Sequence, residues 1–483
     1  MKTTERVSCL VAGVIALAGV AVLSTSTVHT AAVTVPTFSK DVAPIMFEKC
    51  ASCHRPGEVA PMSLLSYDDA RPWSKAIKNK VVAREMPPWG ADPAHTLPMR
   101  NDRSLSEQQI NTIVAWVDGG APRGNDAEMP PAPKFAEGWT YGREPDVVLE
   151  MPTEFDIPAE GEVHVQNFYT KVPWDTDKFA QVVELRPGNR SVVHHAGIYF
   201  ADLPAGAQLD KYGRIVEENS GQGGNARART ADPTLPGSSK LLSYVPGRGV
   251  DVHREDVGKR IPAGKYINWQ IHYNPTGKPE KDRTRLGIWF NKVPVTHEVL
   301  IRQAGDPLAT TKGGQSLYRA EGVEVGYSAD EGSTQRQAAG RSRTPNIPPY
   351  VENWHLTGIT PVTEDITLYA MSPHMHLRGK SLKWVVTYPD GHEQTILDVP
   401  KFDFNWQINY ELAEPLHIPA GSKIAGIGVY DNSLKNKWNP GPQLEVFWSE
   451  QSWDEMYQPF TEYSVDSQRL DMEITTNQQH QQH

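Results

Sequence analysis

Two textures of apolar spacing divide this chain. Up to about residue 125 the apolar positions recur at helical spacing, as in Ile110, Ile113, Val114 and Val117. Ser104–Leu105–Ser106–Glu107 ahead of that run predicts a helix start, with Ser104 as the cap and Glu107 at the third helical position. Gly119 and Gly120 predict its stop. From about residue 145 onward, short apolar or alternating runs recur between Pro/Gly turns. They include Val192 to Phe200, Tyr266 to Tyr273, Leu286 to Phe290, Leu382 to Tyr388 and Ile424 to Tyr430. Tyr388–Pro389–Asp390–Gly391–His392 is a turn between two of them. This pattern predicts a multidomain chain: a small all-α domain, then two all-β antiparallel sandwiches of jelly-roll-like form.

The boundaries follow from composition. Residues 1–32 have a basic start (Lys2, Arg6), an apolar run from Leu10 to Leu23 and then small residues, which predicts a signal peptide cut near Ala31 or Ala32. The apolar run is short for a stable membrane span, so none is expected after cleavage. The helical domain is placed at 35–127, a Pro-rich linker around Met129–Pro133 at 128–145, and the two sandwiches at 146–303 and 349–470. Residues 218–232 and 304–348 read as polar loops or insertions. Residues 471–483 read as a disordered tail. The net charge of −10 argues against a nucleic-acid partner, which requires a basic face. Of the 3 cysteines, Cys9 would leave with the signal, so only Cys50 and Cys53 remain and no disulfide framework is expected.

Those two cysteines stand in Cys50–Ala51–Ser52–Cys53–His54, a C-x-x-C-H motif. The spacing suits addition of both thiols to the vinyl groups of one haem c, with His54 as an axial ligand of its iron. Met86, in Arg84–Glu85–Met86–Pro87–Pro88–Trp89, is the first candidate for the sixth ligand, with Met62 and Met99 as rivals. A thioether there raises the haem potential and suits electron transfer. The segment resembles a small class I cytochrome c, and Trp116 with Ala121–Pro122 is similar to that family's closing helix.

The β region carries four further features: His194–His195, His272, His374–Met375–His376, and Met456 in Ser452–Trp453–Asp454–Glu455–Met456. Residues i and i+2 of a strand share a face, so His374 and His376 are placed to clamp one metal ion. A thioether from Met456 would make that set soft, which favours Cu(I). His194 and His195 diverge on a regular strand and meet one metal only across a twist or bulge. With His272 they would make a three-nitrogen set. Each of these histidines also has an ordinary structural reading, the one adopted for His164, His253, His297, His355, His392 and His417. The many tryptophans of this region, among them Trp269, Trp289 and Trp354, read as core.

In type and order these residues resemble the copper type II, ascorbate-dependent monooxygenases, the peptidylglycine α-hydroxylating and dopamine β-hydroxylating group. The matching stretches are His194–His195, Gln270–Ile271–His272–Tyr273, His374–Met375–His376 with Leu377–Arg378–Gly379, and Glu455–Met456. Tyr388–Pro389–Asp390–Gly391, Phe404–Asn405–Trp406–Gln407, Tyr430–Asp431–Asn432–Ser433 and Trp453–Asp454–Glu455–Met456 resemble bacterial members fused to a cytochrome c. The resemblance implies two copper ions. His194, His195 and His272 would hold an electron-relay copper, and His374, His376 and Met456 the copper that uses O2. It further implies C–H hydroxylation of a small organic or peptide substrate, in a periplasmic or secreted bacterial enzyme. Electrons would come through the haem domain from a periplasmic donor, or from an ascorbate-like reductant. The chain departs from the animal enzymes in lacking cysteines here, and 304–348 has no counterpart. The other readings are a haem/copper electron-transfer or copper-carrier protein without oxygenase activity, and a β-sandwich module that binds carbohydrate or peptide.

Overall fold

The computed structural model describes residues 35–470 except 59, 136–137, 217–239, 247, 306–314, 322, 329–344 and 450–451. The expected signal, the polar stretch at 218–232, much of 304–348 and the tail at 471–483 lie outside the described residues. Where 304–348 is described, Gln315–Ala320 and Val323–Ser328 pair as antiparallel strands. Among the described residues no helix is long and apolar enough to cross a membrane.

The expected class, an all-α cytochrome c domain followed by two sandwiches, is not the one observed. The chain is mostly β, with 36% strand and 12% helix, and among the described residues no all-α cytochrome c domain is evident. The four larger sheets form a four-bladed, propeller-like arrangement. Helix is confined to short pieces: α1 (Ala43–Lys49), α2 (Tyr67–Ala70), α3 (Ser74–Val82) and α4 (Glu107–Asp118), with π and 3-10 turns at Phe38–Val42, Arg71–Trp73 and Asp126–Glu128. Phe38, Met46, Ile77, Ile110, Ile113 and Trp116 form a small core among them.

The reason is visible between α3 and α4. The intervening chain is studded with prolines, which cannot donate into a helix, and it runs as irregular chain with turns into the C-terminal β core. Trp89, Ala91 and Met99 are buried there. Asp92 N–H donates to Asp398 O (2.8 Å), Arg100 N–H to Glu411 O (2.7 Å), and Pro98 O accepts from Ala413 N–H (2.9 Å). The helical spacing in α4 is real, but its cap is Ser106, whose side chain accepts from Gln109 N–H while Gln109 reaches back in a capping box. Ser104 lies two residues too early because Gln109, not Glu107, closes that box.

The β region begins with a sheet ordered Val147–Glu150, Arg285–Phe290, Lys178–Arg186, Val257–Ile261 and His297–Glu298. It shares a core with a second sheet, ordered Gln166–Lys171, Tyr266–Tyr273, Val193–Ala201 and Lys240–Tyr244. The third sheet runs Leu300–Gln303, Gln458–Val465, Ile366–His374 and Tyr410–Ile418, and shares a core with the fourth, which contains Trp354–Pro361, Lys423–Tyr430, Gly379–Thr387 and Glu393–Val399. Leu300–Gln303 thus pairs with the C-terminal strand Gln458–Val465 although it directly follows the first sheet. Buried charges stitch the same junction: Lys259 Nζ lies 3.1 Å from Asp251 and 3.2 Å from Glu462. The Pro-rich connection is anchored too, for Trp139 and Tyr141 pack edge-on against Trp289.

Candidate functional site

The ladder between Val193–Ala201 and Tyr266–Tyr273 slips between Val193 and His195, leaving His194 as the extra residue of a bulge. Adjacent side chains on a regular strand diverge, whereas here the Nδ1 atoms of His194 and His195 are 2.8 Å apart. Two nitrogens bound to one first-row metal at about 2 Å stand roughly 2.8 Å apart when the angle between them is near 90°. His195 faces His272 across the ladder, with ring centroids 3.8 Å apart and the rings stacked.

His374 ends its strand, so His376 lies in the turn beyond it and not at the expected next-but-one strand position. What replaces the strand is a buried carboxyl group. Glu455 accepts from the backbone N–H groups of His376 (2.8 Å), Arg378 (2.6 Å) and Met456 (3.2 Å). Burial pushes its pKa up to about 8 against the pull of those three donors. The turn and the methionine are thereby held on one side chain. His374 Nε2 stands 3.3 Å from Met456 Sδ, and the His374 and His376 rings are 5.3 Å apart. His374 Nδ1 donates to Gln407 Oε1, and His376 Nδ1 donates to the Asp454 carbonyl (3.2 Å). Each ring is thus oriented through one nitrogen, leaving Nε2 as the other, as metal-binding histidines require.

The two sets adjoin each other. The His195 and His374 rings are 5.9 Å apart. Phe404 lies among them, with its ring 5.1, 5.7 and 5.9 Å from those of His194, His195 and His376. Burial lowers the pKa of His194, drives those of His195 and His374 well below the ordinary value, and brings that of His272 to about 3. These imidazoles are neutral, the form in which a nitrogen binds metal. His195 Nε2 is buried without a hydrogen-bond partner. Among the described residues no three His, Cys, Asp or Glu side chains already stand in metal-holding geometry, and the stacked rings of His195 and His272 would have to turn to share an ion. The donor set, imidazoles with one thioether, fits copper.

At the C-x-x-C-H motif, Cys50 and Cys53 are free thiols. Burial, with Cys53 nearby, raises the Cys50 pKa to about 12. His54 Nδ1 donates to the Met62 carbonyl (3.2 Å), which leaves Nε2 to face an iron. Thiols and histidine fit a haem c. Met62 packs on the helical core. Met99 is buried in the C-terminal β core. Met86 is half-buried beyond α3, with its N–H on Lys80 O (3.3 Å).

Reading the motifs one by one leaves out Glu455, Phe404, Asn405 and Gln407 as parts of the site. The one signal for them in the sequence is the resemblance noted for Phe404–Asn405–Trp406–Gln407 and Trp453–Asp454–Glu455–Met456. No family model matches the chain, and no curated protein matches it.

Proposed function

We propose that this chain is an exported, periplasmic or secreted copper-dependent monooxygenase that hydroxylates a C–H bond of a small organic or peptide substrate with O2. The observation that carries the reading is the approach of His374 Nε2 to Met456 Sδ (3.3 Å) beside the bulged, neutral group of His194, His195 and His272. His374, His376 and Met456 would hold the copper that meets O2, His194, His195 and His272 a relay copper, and Cys50, Cys53 and His54 a haem c. Copper bound there supplies one-electron chemistry towards O2, and haem supplies reversible one-electron storage. The balance is C–H plus O2, two electrons and two protons, giving C–OH and water.

The protein's part is positional. Burial keeps the imidazoles unprotonated. Gln407 and the Asp454 carbonyl fix which nitrogen of His374 and His376 is offered. The Phe404 ring takes up space that water would otherwise fill between the sets. The loop after the C-x-x-C-H motif touches the turn that leads into the relay set's strand: Glu58 pairs with Arg55 (2.7 Å) and with Arg190, three residues before that strand begins. That contact supports electron delivery from the haem side.

The test is to load haem-bearing protein with copper, remove the excess, and measure copper per haem and O2-dependent product from candidate substrates. A ratio near two with a hydroxylated product is expected, and Met456→Ile should abolish turnover while keeping the haem and the relay copper. A ratio near zero overturns the reading. Two coppers with no O2 consumption would leave an electron-transfer or copper-carrier protein.

A further inference from the structure

We infer that the Phe404–Gln407 loop is a shared clamp, in which Asn405 and Gln407 are positioning residues for one histidine of each set, His194 and His374. The inference rests on the copper reading above. Asn405 comes from the C-terminal part of the chain, yet its Oδ1 accepts from His194 Nε2 at 3.0 Å. Gln407, two residues on, accepts from His374 Nδ1. Both amides have a settled orientation. Asn405 Nδ2 donates to Asp403 Oδ1 (3.0 Å), so its oxygen is the atom turned to His194. Gln407 Nε2 donates to the Phe404 carbonyl (2.9 Å), so its oxygen is turned to His374.

An amide oxygen only accepts, so each contact dictates a tautomer. His194 carries its proton on Nε2 and offers Nδ1, beside Nδ1 of His195. His374 carries its proton on Nδ1 and offers Nε2, beside Met456. One loop therefore selects opposite nitrogens in the two sets. The loop is itself braced: Asp403 Oδ1 accepts from Asn405 N–H (2.9 Å), Asp403 O from Trp406 N–H (2.9 Å), and Gln407 is buried. Just ahead of its two amide anchors it presents Phe404 to three of the histidine rings.

The probe is Cu(I) titrated against a competing chelator on the haem-bearing protein, with X-ray absorption to mark the copper that has a sulfur neighbour. Asn405→Ala should weaken the sulfur-free copper by roughly tenfold or more, the usual scale for losing a ligand's outer partner, and leave the sulfur-bound one in place. Gln407→Ala should do the reverse. Asn405→Asp and Gln407→Glu, which keep an acceptor oxygen, should recover most of the affinity. Because Gln407 is buried, Gln407→Met serves as a second variant that removes the acceptor at similar volume, with circular dichroism as the check on folding. Wild-type protein that binds two coppers, with both alanine variants unchanged, overturns the clamp alone. Equal loss of both coppers from a folded single variant overturns the site-by-site assignment. Wild-type protein that takes up no copper overturns the proposed function as well.

Discussion

The two histidine sets achieve similar surroundings by different means. His194, His195 and His272 stand on paired strands, and a single register slip aims the first two together. Their placement is backbone placement, secured by the ladder that pairs the two strands with each other, while the outer ladders begin next door at Ala196 and Ile271. His374 is the last residue of its strand, and His376 and Met456 lie beyond any ladder. They are gathered by the side chains of Glu455 and Gln407, with one backbone carbonyl, that of Asp454, orienting His376. A sheet gives positions that many bonds determine together, so side chains such as Asn405 are left to set the tautomer and turn of a ring and not to hold its backbone in place. A side-chain clip concentrates the same task in a few groups, and its failure should be abrupt and local.

The harshest way to test this contrast is Glu455→Ala. It leaves three backbone N–H groups, of His376, Arg378 and Met456, without their acceptor in a buried place. Each such loss costs about 1–3 kcal/mol, so destabilisation on the order of 3 kcal/mol or more is expected in urea unfolding. The sulfur-bound copper should be lost while the sulfur-free copper stays, and Glu455→Gln, which keeps one acceptor oxygen, should be milder. Loss of both coppers together would show that the two sets do not differ in their support.

Acid separates both sets from the junction that joins the β sheets. His253 belongs to neither set, and burial, helped by Lys259, lowers its pKa from 6.5 to about 3. It is neutral in the fold, whereas the unfolded chain takes up a proton below about 6.5. Its contribution to stability is therefore complete above pH 6.5 and is lost as the pH falls from 6.5 towards 3. In metal-free protein the melting temperature should fall across that window, and less so in His253→Gln. An equal fall in the variant would place the acid sensitivity in the site histidines instead.

Legibility in the sequence followed the range of the interactions. The alternation in Val192–Phe200 and Tyr266–Tyr273 marks strands because period-two burial is a local property, and both are strands. The need for a bulge at His194–His195 was also legible, since adjacent residues cannot share a face otherwise. Its presence depends on how His195 is paired with His272 and was not. Glu455, Asn405 and Gln407 were not legible from spacing, for their partners lie 79, 211 and 33 positions away. The all-α reading of the N-terminal region failed for a related reason. Spacing identified α4, but nothing local shows that Trp89–Arg100 is irregular chain bonded to strands some three hundred residues on.

The mildest test touches the clip-held set through one hydrogen bond. Tyr430 is fully buried, and its hydroxyl donates to the Met456 carbonyl at 2.9 Å. Tyr430→Phe keeps the ring, and so its packing against Trp354 and Trp448, but leaves that carbonyl short of a donor, at a cost of about 1 kcal/mol. Because Glu455 still holds Met456 N–H, the methionine should shift rather than come free. Chelator competition should then show the sulfur-bound copper weakened by a few-fold and the sulfur-free copper unchanged. An unchanged affinity at the sulfur-bound copper would mean that Glu455 alone holds the methionine. A loss as large as that of Glu455→Ala would mean that the support is shared along Tyr430 and the fourth sheet, so that this set too is backbone-built at one remove.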